Sequence, residues 1–484
     1  MTVATAGHPT PTHPEPAGLD NRLVVGGATT TWRSLPLPTL PDPAAVLAHS
    51  ALHALAAARQ HAAYGTELLL STASRVDAQM RTELREAGFT VSVLDGDGVH
   101  PNPPARPRAA EPGRLWLLTS GSTGRPKRVG HTLDTLTTVR ADQPDRTWLC
   151  PYAPGTYAWW QVVTLSLTQP GQHLVVVEPD ELDDWPAVAA AHGVDAASGT
   201  PTFWRRTLYR DAAALARVPL RQITLGGEPV DQAILDQLRD VFPTARISWI
   251  YASSEVGASI VVHDGRAGFP VDWLDRETPG RPTLSVRDDE LVVTSPHHGA
   301  GLAGPIRTGD RVQVLDGRVL ITGRLDSDEI NVGGSKVSAG VVRGVLSGHP
   351  AVAWARVTGR RAPVLGRMVV AEVVLTPAAP TADADADAVA VAVAAVAVAV
   401  AGSIEAADPA VAAGLTEAVG STEAADSAGQ TDPAGHPAGR PAAGVPDEAA
   451  LVRWCADRLP EHAVPRRIRV LTEIPVKETL KSDV

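Results

Sequence analysis

The sequence predicts an α/β protein: a large domain of mixed sheets and helices, then a small α+β domain carrying a low-complexity insertion. Three observations carry that expectation. Apolar runs of strand length alternate with amphipathic stretches as far as about Gly280, the rhythm of mixed sheets covered by helices. Beyond Gly280 short β runs follow one another with few helical stretches between them. Residues 377–447 hold no aromatic residue and consist largely of Ala, Val, Asp, Gly and Pro, a composition that buries too little area for a packed core.

In chain order, residues 1–20 are rich in Pro, Thr and His and are expected to be disordered. Leu68–Leu70, the amphipathic run Val76–Ala87 and Thr90–Leu94 form one β–α–β unit, and Leu115–Leu118 reads as a buried strand. The rhythm recurs as strand Leu174–Val177, helix Trp185–His192, strand Ile223–Leu225, helix Gln232–Val241 and strand Ile247–Ile250. The β-rich part contributes Leu291–Thr294, Arg311–Leu315 and Val319–Thr322. The small domain contributes a helix at Ala339–Leu346 and strands at Ala353–Thr358 and Met368–Leu375. Past the insertion come a helix at Glu448–Leu459 and the strand Arg467–Leu471. The expected division is 1–20 as a disordered N-terminus, 21–325 as the large domain and 326–484 as the small one, with 377–447 a disordered insertion inside it.

The net charge of −11 is local. Ten acidic residues against the single Arg440 give residues 377–447 a charge of −9, leaving an ordinary surface elsewhere. No basic stripe points to nucleic acid. The longest apolar stretch, Ala388 to Ala401, is too short and too Ala-rich to span a membrane. Two distant cysteines, Cys150 and Cys455, make neither a disulfide framework nor a metal cluster, and no basic-then-apolar leader opens the chain. Together these features place the expected compartment in the cytoplasm.

After the strand Leu115–Leu118 comes Thr119-Ser120-Gly121-Ser122-Thr123-Gly124-Arg125-Pro126-Lys127. Glycines and hydroxyl residues let backbone N–H and side-chain O–H groups converge on phosphate oxygens, and Lys127 adds a point charge. The spacing differs from G-x-x-x-x-G-K-[ST], which disfavours an ordinary P-loop NTPase. A Gly/Ser-rich surface turn remains the other reading of the loop taken alone.

With the motifs that follow in collinear order, the chain resembles the superfamily of AMP-forming adenylating enzymes: acyl- and aryl-CoA synthetases, peptide-synthetase adenylation domains and luciferases. The resemblance runs from about Leu115 to Val484 apart from the insertion. It implies that the Thr119–Lys127 loop cradles the β- and γ-phosphates of ATP and that Gly226-Gly227-Glu228-Pro229 lies along the adenine. Tyr251-Ala252-Ser253-Ser254-Glu255 resembles the family's Tyr-Gly-x-Thr-Glu. By that likeness Tyr251 stacks on adenine, Ser254 bonds the α-phosphate and Glu255 helps hold Mg²⁺. Arg307-Thr308-Gly309-Asp310 matches the ribose motif, with Asp310 accepting the ribose hydroxyls. Arg324 reaches ribose or phosphate, and Asp326 falls at the hinge between domains. The segment Ile330 to Val337, including the glycine pair Gly333-Gly334 and Lys336, lines the nucleotide and pantetheine side. Lys481 stands where the family's Pro-x-x-x-x-Gly-Lys pattern places its catalytic lysine, with Leu480 in the glycine's position and Lys477 as the other lysine in reach.

Two departures accompany the resemblance. Only about 115 residues precede the phosphate loop, which implies a reduced N-terminal part. The family's aromatic-and-His substrate gate has no clear match in Cys150–Trp160, and no acidic residue lies between Cys150 and Leu174. That argues against an α-amino acid substrate. Tyr152, Tyr157, Trp159 and Trp160 form either a flat aromatic slot or part of the core.

The implied function is ATP-dependent adenylation of an aryl or small acyl acid with pyrophosphate release. Transfer to a thiol, CoA or the pantetheine of a carrier protein, would follow. Two alternatives stay open: adenylation of nitrite for diazotisation of an aromatic amine in secondary metabolism, and a degenerate nucleotide-binding or carrier-interaction protein. The expected partners are a small-molecule acid and a carrier protein, with neither nucleic acid nor membrane. A kinase-like ATPase is the least favoured reading.

Overall fold

The computed structural model describes residues 13–119, 126–325, 328–362, 366–376, 446–477 and 480–482. The chain divides into a unit of Met1–Leu375 with Asp447–Val484 and a unit of Thr376–Pro446, and the architecture below is that of the first. Residues 377–445, expected to be a disordered insertion, lie outside the described residues; Asp447, placed inside that insertion by composition, instead caps the helix Glu448–Ala456 by accepting from the Ala450 amide at 2.7 Å.

Among the described residues the strands form four sheets, and the fold is mixed α/β as the sequence predicts. In one sheet the parallel strands Arg22–Val25, Gln172–Val176, Arg146–Cys150, Ala196–Gly199, Gln222–Gly226 and Arg246–Ser253 lie side by side, edged by antiparallel Ala28–Thr31 and Gly257–Val262. A second sheet runs Gly98–Asn102, Thr90–Asp95, Ala44–Ala48, Leu68–Thr72, Leu115–Thr119, Lys127–His131. Its central strand Ala44–Ala48 is buried throughout, as parallel strands covered on both faces require. An antiparallel sheet follows, containing Glu290–Thr294, Ile306–Leu315 and Arg318–Arg324. Strands Glu329–Val332, Ser335–Ser338, Val352–Ala362, Gly366–Leu375 and Arg467–Leu471 build the last sheet, which has its own core with Val342, Leu346, Leu451 and Cys455.

Of residues 1–20, expected to be disordered, 1–12 lie outside the described residues, and 13–20 are tied to the large sheet's surroundings. Leu19 is buried, the Gly18 amide donates to Leu167 O at 2.9 Å, and a Cβ at Gly18 would lie 2.1 Å from Ser166 O. Arg33 ties down Asp20 and Glu15. One buried leucine with its backbone paired is enough to order a polar stretch.

The aromatic run resolves as core, not as a slot. The helix Tyr157–Thr168 is apolar nearly all round and therefore buried. Trp159 and Trp160 are fully enclosed, edge to face at 4.9 Å, and the Tyr152 hydroxyl bonds Ser198 at 3.0 Å. Both cysteines are buried free thiols, and no helix of the described residues is long and apolar enough to cross a membrane.

Glu67 is a hub that sequence periodicity does not reveal. Its buried carboxylate accepts from Arg108 at 2.5 and 2.8 Å, from Trp116 Nε1 at 2.7 Å and from the Glu111 amide at 2.6 Å. Burial alone would raise its pKa. Arg108, the Glu111 amide and the Trp116 indole outweigh that and hold it below the usual value. Trp116 sits on the strand that leads into the phosphate loop, so Glu67 braces that strand. Glu67→Gln is expected to cost about 2 kcal/mol of stability, since donors that faced a carboxylate then meet an amide. A depressed carboxylate pKa gives stability that is present above the unfolded value and lost as pH falls through the folded one. The difference between wild type and variant in urea unfolding should therefore be full at pH 7 and shrink in acid.

Candidate active site

Three adjacent parallel strands end on one side of the large sheet, the place where open α/β sheets offer their binding crevice. Ala196–Gly199 delivers Thr200, Gln222–Gly226 delivers Gly226-Gly227-Glu228, and Arg246–Ser253 delivers Tyr251 and the turn Ser253-Ser254-Glu255. Gly227 has φ +82°, a left-handed conformation suited to glycine.

The antiparallel sheet adds Asp310 and Arg324, directly paired across neighbouring strands. Arg324 Nε lies 3.1 Å from Asp310 Oδ1, and the Tyr251 hydroxyl donates to Asp310 Oδ2 at 2.5 Å. Burial pushes the Asp310 carboxyl above its usual value, against the opposing pull of Arg324 and Tyr251. The same burial, with Asp310 beside it, pushes the Tyr251 phenol well up, so the phenol stays protonated and donates to the carboxylate. Arg307 to Asp310 fall within the single strand Ile306–Leu315, interrupted at Gly309 (φ +76°). Buried Glu290 fixes this interruption, accepting from the Gly309 amide at 2.7 Å and from Arg307 Nε.

The C-terminal tail brings Lys481 to the same place. A Cβ built on Gly227 would lie 3.3 Å from Lys481 Cε and 3.7 Å from Nζ. The lysine remains open to solvent while protein crowds it on several sides, so its ammonium projects into a cleft. That crowding pulls its pKa below the usual lysine value; Glu228 and Asp310 oppose the shift and Arg324 reinforces it. Leu480, in the position the family gives to glycine, takes the left-handed conformation itself, with φ +60° and 2% exposure. A left-handed L-residue costs about 1–2 kcal/mol, and burying a leucine returns about 1.5–3 kcal/mol, so the exchange is tolerated.

The second sheet reaches the site through its edge strand. Thr119 and Lys127 face each other in register at the base of the phosphate loop, and Lys127 is exposed. Ser120, Gly121, Ser122, Thr123 and Gly124, the centre of that loop, lie outside the described residues, as does Asp326, expected at the hinge. From the same strand buried His131 donates Nε2–H to Ser254 O at 2.7 Å, its Nδ1 facing Thr135 Oγ1 at 3.0 Å. Burial lowers the His131 pKa against the Ser254 carbonyl, so the ring is neutral near pH 7. The Glu255 carbonyl accepts from the Gly299 amide at 2.9 Å. Loss of the ring in His131→Leu leaves a buried carbonyl unpaired. It should lower the turnover of the site about 10-fold with little change in nucleotide KM.

Of the residues singled out in the sequence, Gly226, Gly227, Glu228, Tyr251, Asp310, Arg324 and Lys481 converge, with Ser254 and Glu255 on the adjoining turn. Glu228, expected beside adenine, directs its carboxylate to protein donors at Thr202 and Ser482. Lys336, expected at the nucleotide, is 70% exposed on the hairpin Glu329–Val332/Ser335–Ser338 and pairs with Glu329 at 3.0 Å. Sequence reasoning missed Thr200, Thr202, Ser482, His131 and Glu290. His131, four residues beyond Lys127, and Ser482, next to Lys481, lie near enough to a motif to have drawn notice.

A glycine-lined turn, a carboxylate paired with a tyrosine and an arginine, and the Lys481 side chain thus meet at one place on the large sheet. The chain belongs to the AMP-binding enzyme family, whose model matches residues 39–309, more than half of the chain. It is 25% identical over 330 residues to an acetyl-coenzyme A synthetase of Psychrobacter cryohalolentis, covering 59% of this chain and 50% of that protein. It is 26% identical over 319 residues to a salicylyl-CoA synthase / salicylate adenylyltransferase of a Streptomyces species, covering 54% of each. The chain thus spans about half the length of these relatives. In fold it is similar to the anthranilate CoA ligase AuaEII solved with anthranoyl-AMP, at TM-score 0.65 and 14% identity over 96% of this chain and 93% of that one.

Proposed function

We propose that the protein is an AMP-forming ligase that adenylates a carboxylic acid with ATP and then passes the acyl group to a thiol. The observation that carries this reading is Lys481 standing over Gly227, on the same cleft as Asp310 and Arg324. A carboxylate oxygen attacks the α-phosphorus of ATP, the bond to the pyrophosphate oxygen breaks, and an acyl-adenylate and pyrophosphate result. Such a transfer needs placement and charge neutralisation more than covalent help. Lys481 supplies charge where the entering and leaving oxygens meet. Tyr251, Asp310 and Arg324 form the wall for adenosine, and Thr119 and Lys127 anchor the loop for the leaving phosphates.

Glu255 suits Mg²⁺ as one hard oxygen ligand whose shell the ATP phosphates complete, and the ion would neutralise charge on those phosphates.

An aromatic acid is the favoured substrate class. The relatives named above include a salicylate enzyme and an anthranilate enzyme. The stretch Cys150–Leu174 carries no acid to receive an α-amino group. CoA or a carrier pantetheine is the proposed acceptor, with rotation about Asp326 between the two half-reactions.

The test is pyrophosphate release across aryl, alkyl and amino acids, with and without CoA and with and without nitrite. Release with an aryl acid, followed by CoA consumption, is the expected outcome. Release dependent on nitrite alone would replace the carboxylate with nitrite, ADP formation would place the chemistry elsewhere, and silence with every acid would leave a binding protein.

A further inference from the structure

We infer that Ser482, through Thr202 and Glu228, forms a latch that holds Lys481 in the cleft. The inference rests on the adenylation reading for its catalytic consequence, though not for its geometry. Side chains alternate along the last described residues: Leu480 and Ser482 are buried in the wall, while Lys481 between them faces the cleft. Both buried neighbours are pinned to one feature of the large domain, the start of the helix Pro201–Ala216.

On one side of the lysine, the Thr200 hydroxyl donates to Leu480 O while accepting from the Phe203 amide at 3.1 Å, its duty as the helix N-cap. On the other side, the Ser482 amide donates to Glu228 Oε1 at 2.9 Å, and the Ser482 and Thr202 hydroxyls lie 2.9 Å apart. Glu228 also accepts from the Thr202 amide at 2.9 Å and from its hydroxyl at 3.0 Å. A carboxylate at a helix N-terminus is favoured by the orphan amides and the dipole there. The helix therefore fixes Glu228, and Glu228 fixes the tail. Thr200, Thr202 and Ser482 are all buried, so these bonds are made away from competing water and leave unpaired groups when broken. Lys477 N also donates to Lys481 O at 2.9 Å and Leu480 N to Lys477 O at 2.8 Å, which ties Lys477 to the two residues before Ser482.

Two pins flanking one residue fix its backbone at both ends, which is what a lysine acting at one phosphorus requires. Ser482, Thr202 and Glu228 are thus positioning residues that act through Lys481, and Glu228 acts as a tail anchor. Release of the same pins is what a later step with the tail withdrawn would demand.

The experiment combines Ser482→Ala, Thr202→Val, their double variant and Ser482→Thr in the full-length protein, with two readouts. Amide hydrogen exchange of the C-terminal peptide reports the latch without any chemistry. Pyrophosphate-exchange kinetics report its effect on Lys481. Each single variant should exchange the C-terminal amides faster and lose about 5- to 10-fold in kcat, the scale of one buried neutral hydrogen bond, with KM for ATP unchanged. The double variant should lose less than the product of the two single losses, because the two hydroxyls share a bond with each other and an acceptor in Glu228. Ser482→Thr should restore both readouts. Wild-type exchange protection in Ser482→Ala and Thr202→Val overturns the latch. Altered protection with additive kinetic losses, or with losses confined to KM, overturns its action through Lys481. Silence of the wild type with every acid would overturn the adenylation reading instead, and the exchange data would still decide the latch.

Discussion

Lys481→Ala is expected to lower the adenylation kcat by about 10²-fold or more while leaving KM for ATP within about threefold of wild type. The split follows from where the lysine stands. Its aliphatic stem passes Gly227 and its ammonium faces the cleft, whereas the carboxylate, phenol and guanidinium at Asp310, Tyr251 and Arg324 are held by one another. Removing the ammonium takes away charge needed as the acid oxygen meets the α-phosphate and leaves the adenosine wall standing. The crowding that lowers the lysine's pKa adds a second expectation. A lysine loses its charge as pH rises through its folded pKa, so kcat should fall on the alkaline side at a pH below an ordinary lysine's titration. That limb should vanish in the alanine variant. Pyrophosphate exchange measured from neutral to alkaline pH checks both, and an unchanged kcat would remove Lys481 from the mechanism.

What the sequence made legible, and what it hid, divides along a physical line. Strands were legible where burial on both faces forces an uninterrupted apolar run, as in Leu115–Leu118, and the helix Gln232–Val241 where one face carries Ile234, Leu235 and Leu238. Lys481 was legible because its spacing from Pro475 and its order behind five other motifs set it apart from other terminal lysines. Thr200, Thr202 and Ser482 were not, since nothing in a Thr-x-Thr some 280 residues away signals that Thr200 bonds the Leu480 carbonyl and Thr202 the Ser482 hydroxyl. Glu290 was hidden in an acidic run, Asp288-Asp289-Glu290, of which this one member turns inward. The tryptophans at 159 and 160 show the converse. Composition offers a ring to a ligand or to the core alike, and only the all-round apolarity of their helix decides for the core. Side-chain direction and long-range partnership are the properties that a linear pattern carries least.

The second large effect is expected at Asp310, and its kinetic signature should be the reverse of the first. Asp310→Ala removes the acceptor shared by the Tyr251 hydroxyl and Arg324 Nε. Charge-assisted hydrogen bonds contribute about 1.5–3 kcal/mol each without adding fully, so KM for ATP should rise about 10²-fold. The kcat at saturating ATP should fall far less, since Lys481 and its seat on Thr200 and Glu228 remain. Asp310→Asn keeps an acceptor but gives up the charge, and it should fall between wild type and alanine. The pH dependence follows from the raised pKa of this buried carboxyl. A carboxyl with a raised pKa takes up its proton at a higher pH than an exposed aspartate as the solution is acidified. ATP affinity should therefore begin to weaken earlier on the acid side than an ordinary aspartate would dictate, and the asparagine variant should lose that dependence. Nucleotide binding measured by calorimetry across the acid range, beside steady-state KM, separates this from any effect on chemistry. Unaltered affinity in Asp310→Ala would mean that the Tyr251–Asp310–Arg324 group braces the strand pair and that adenosine is held elsewhere.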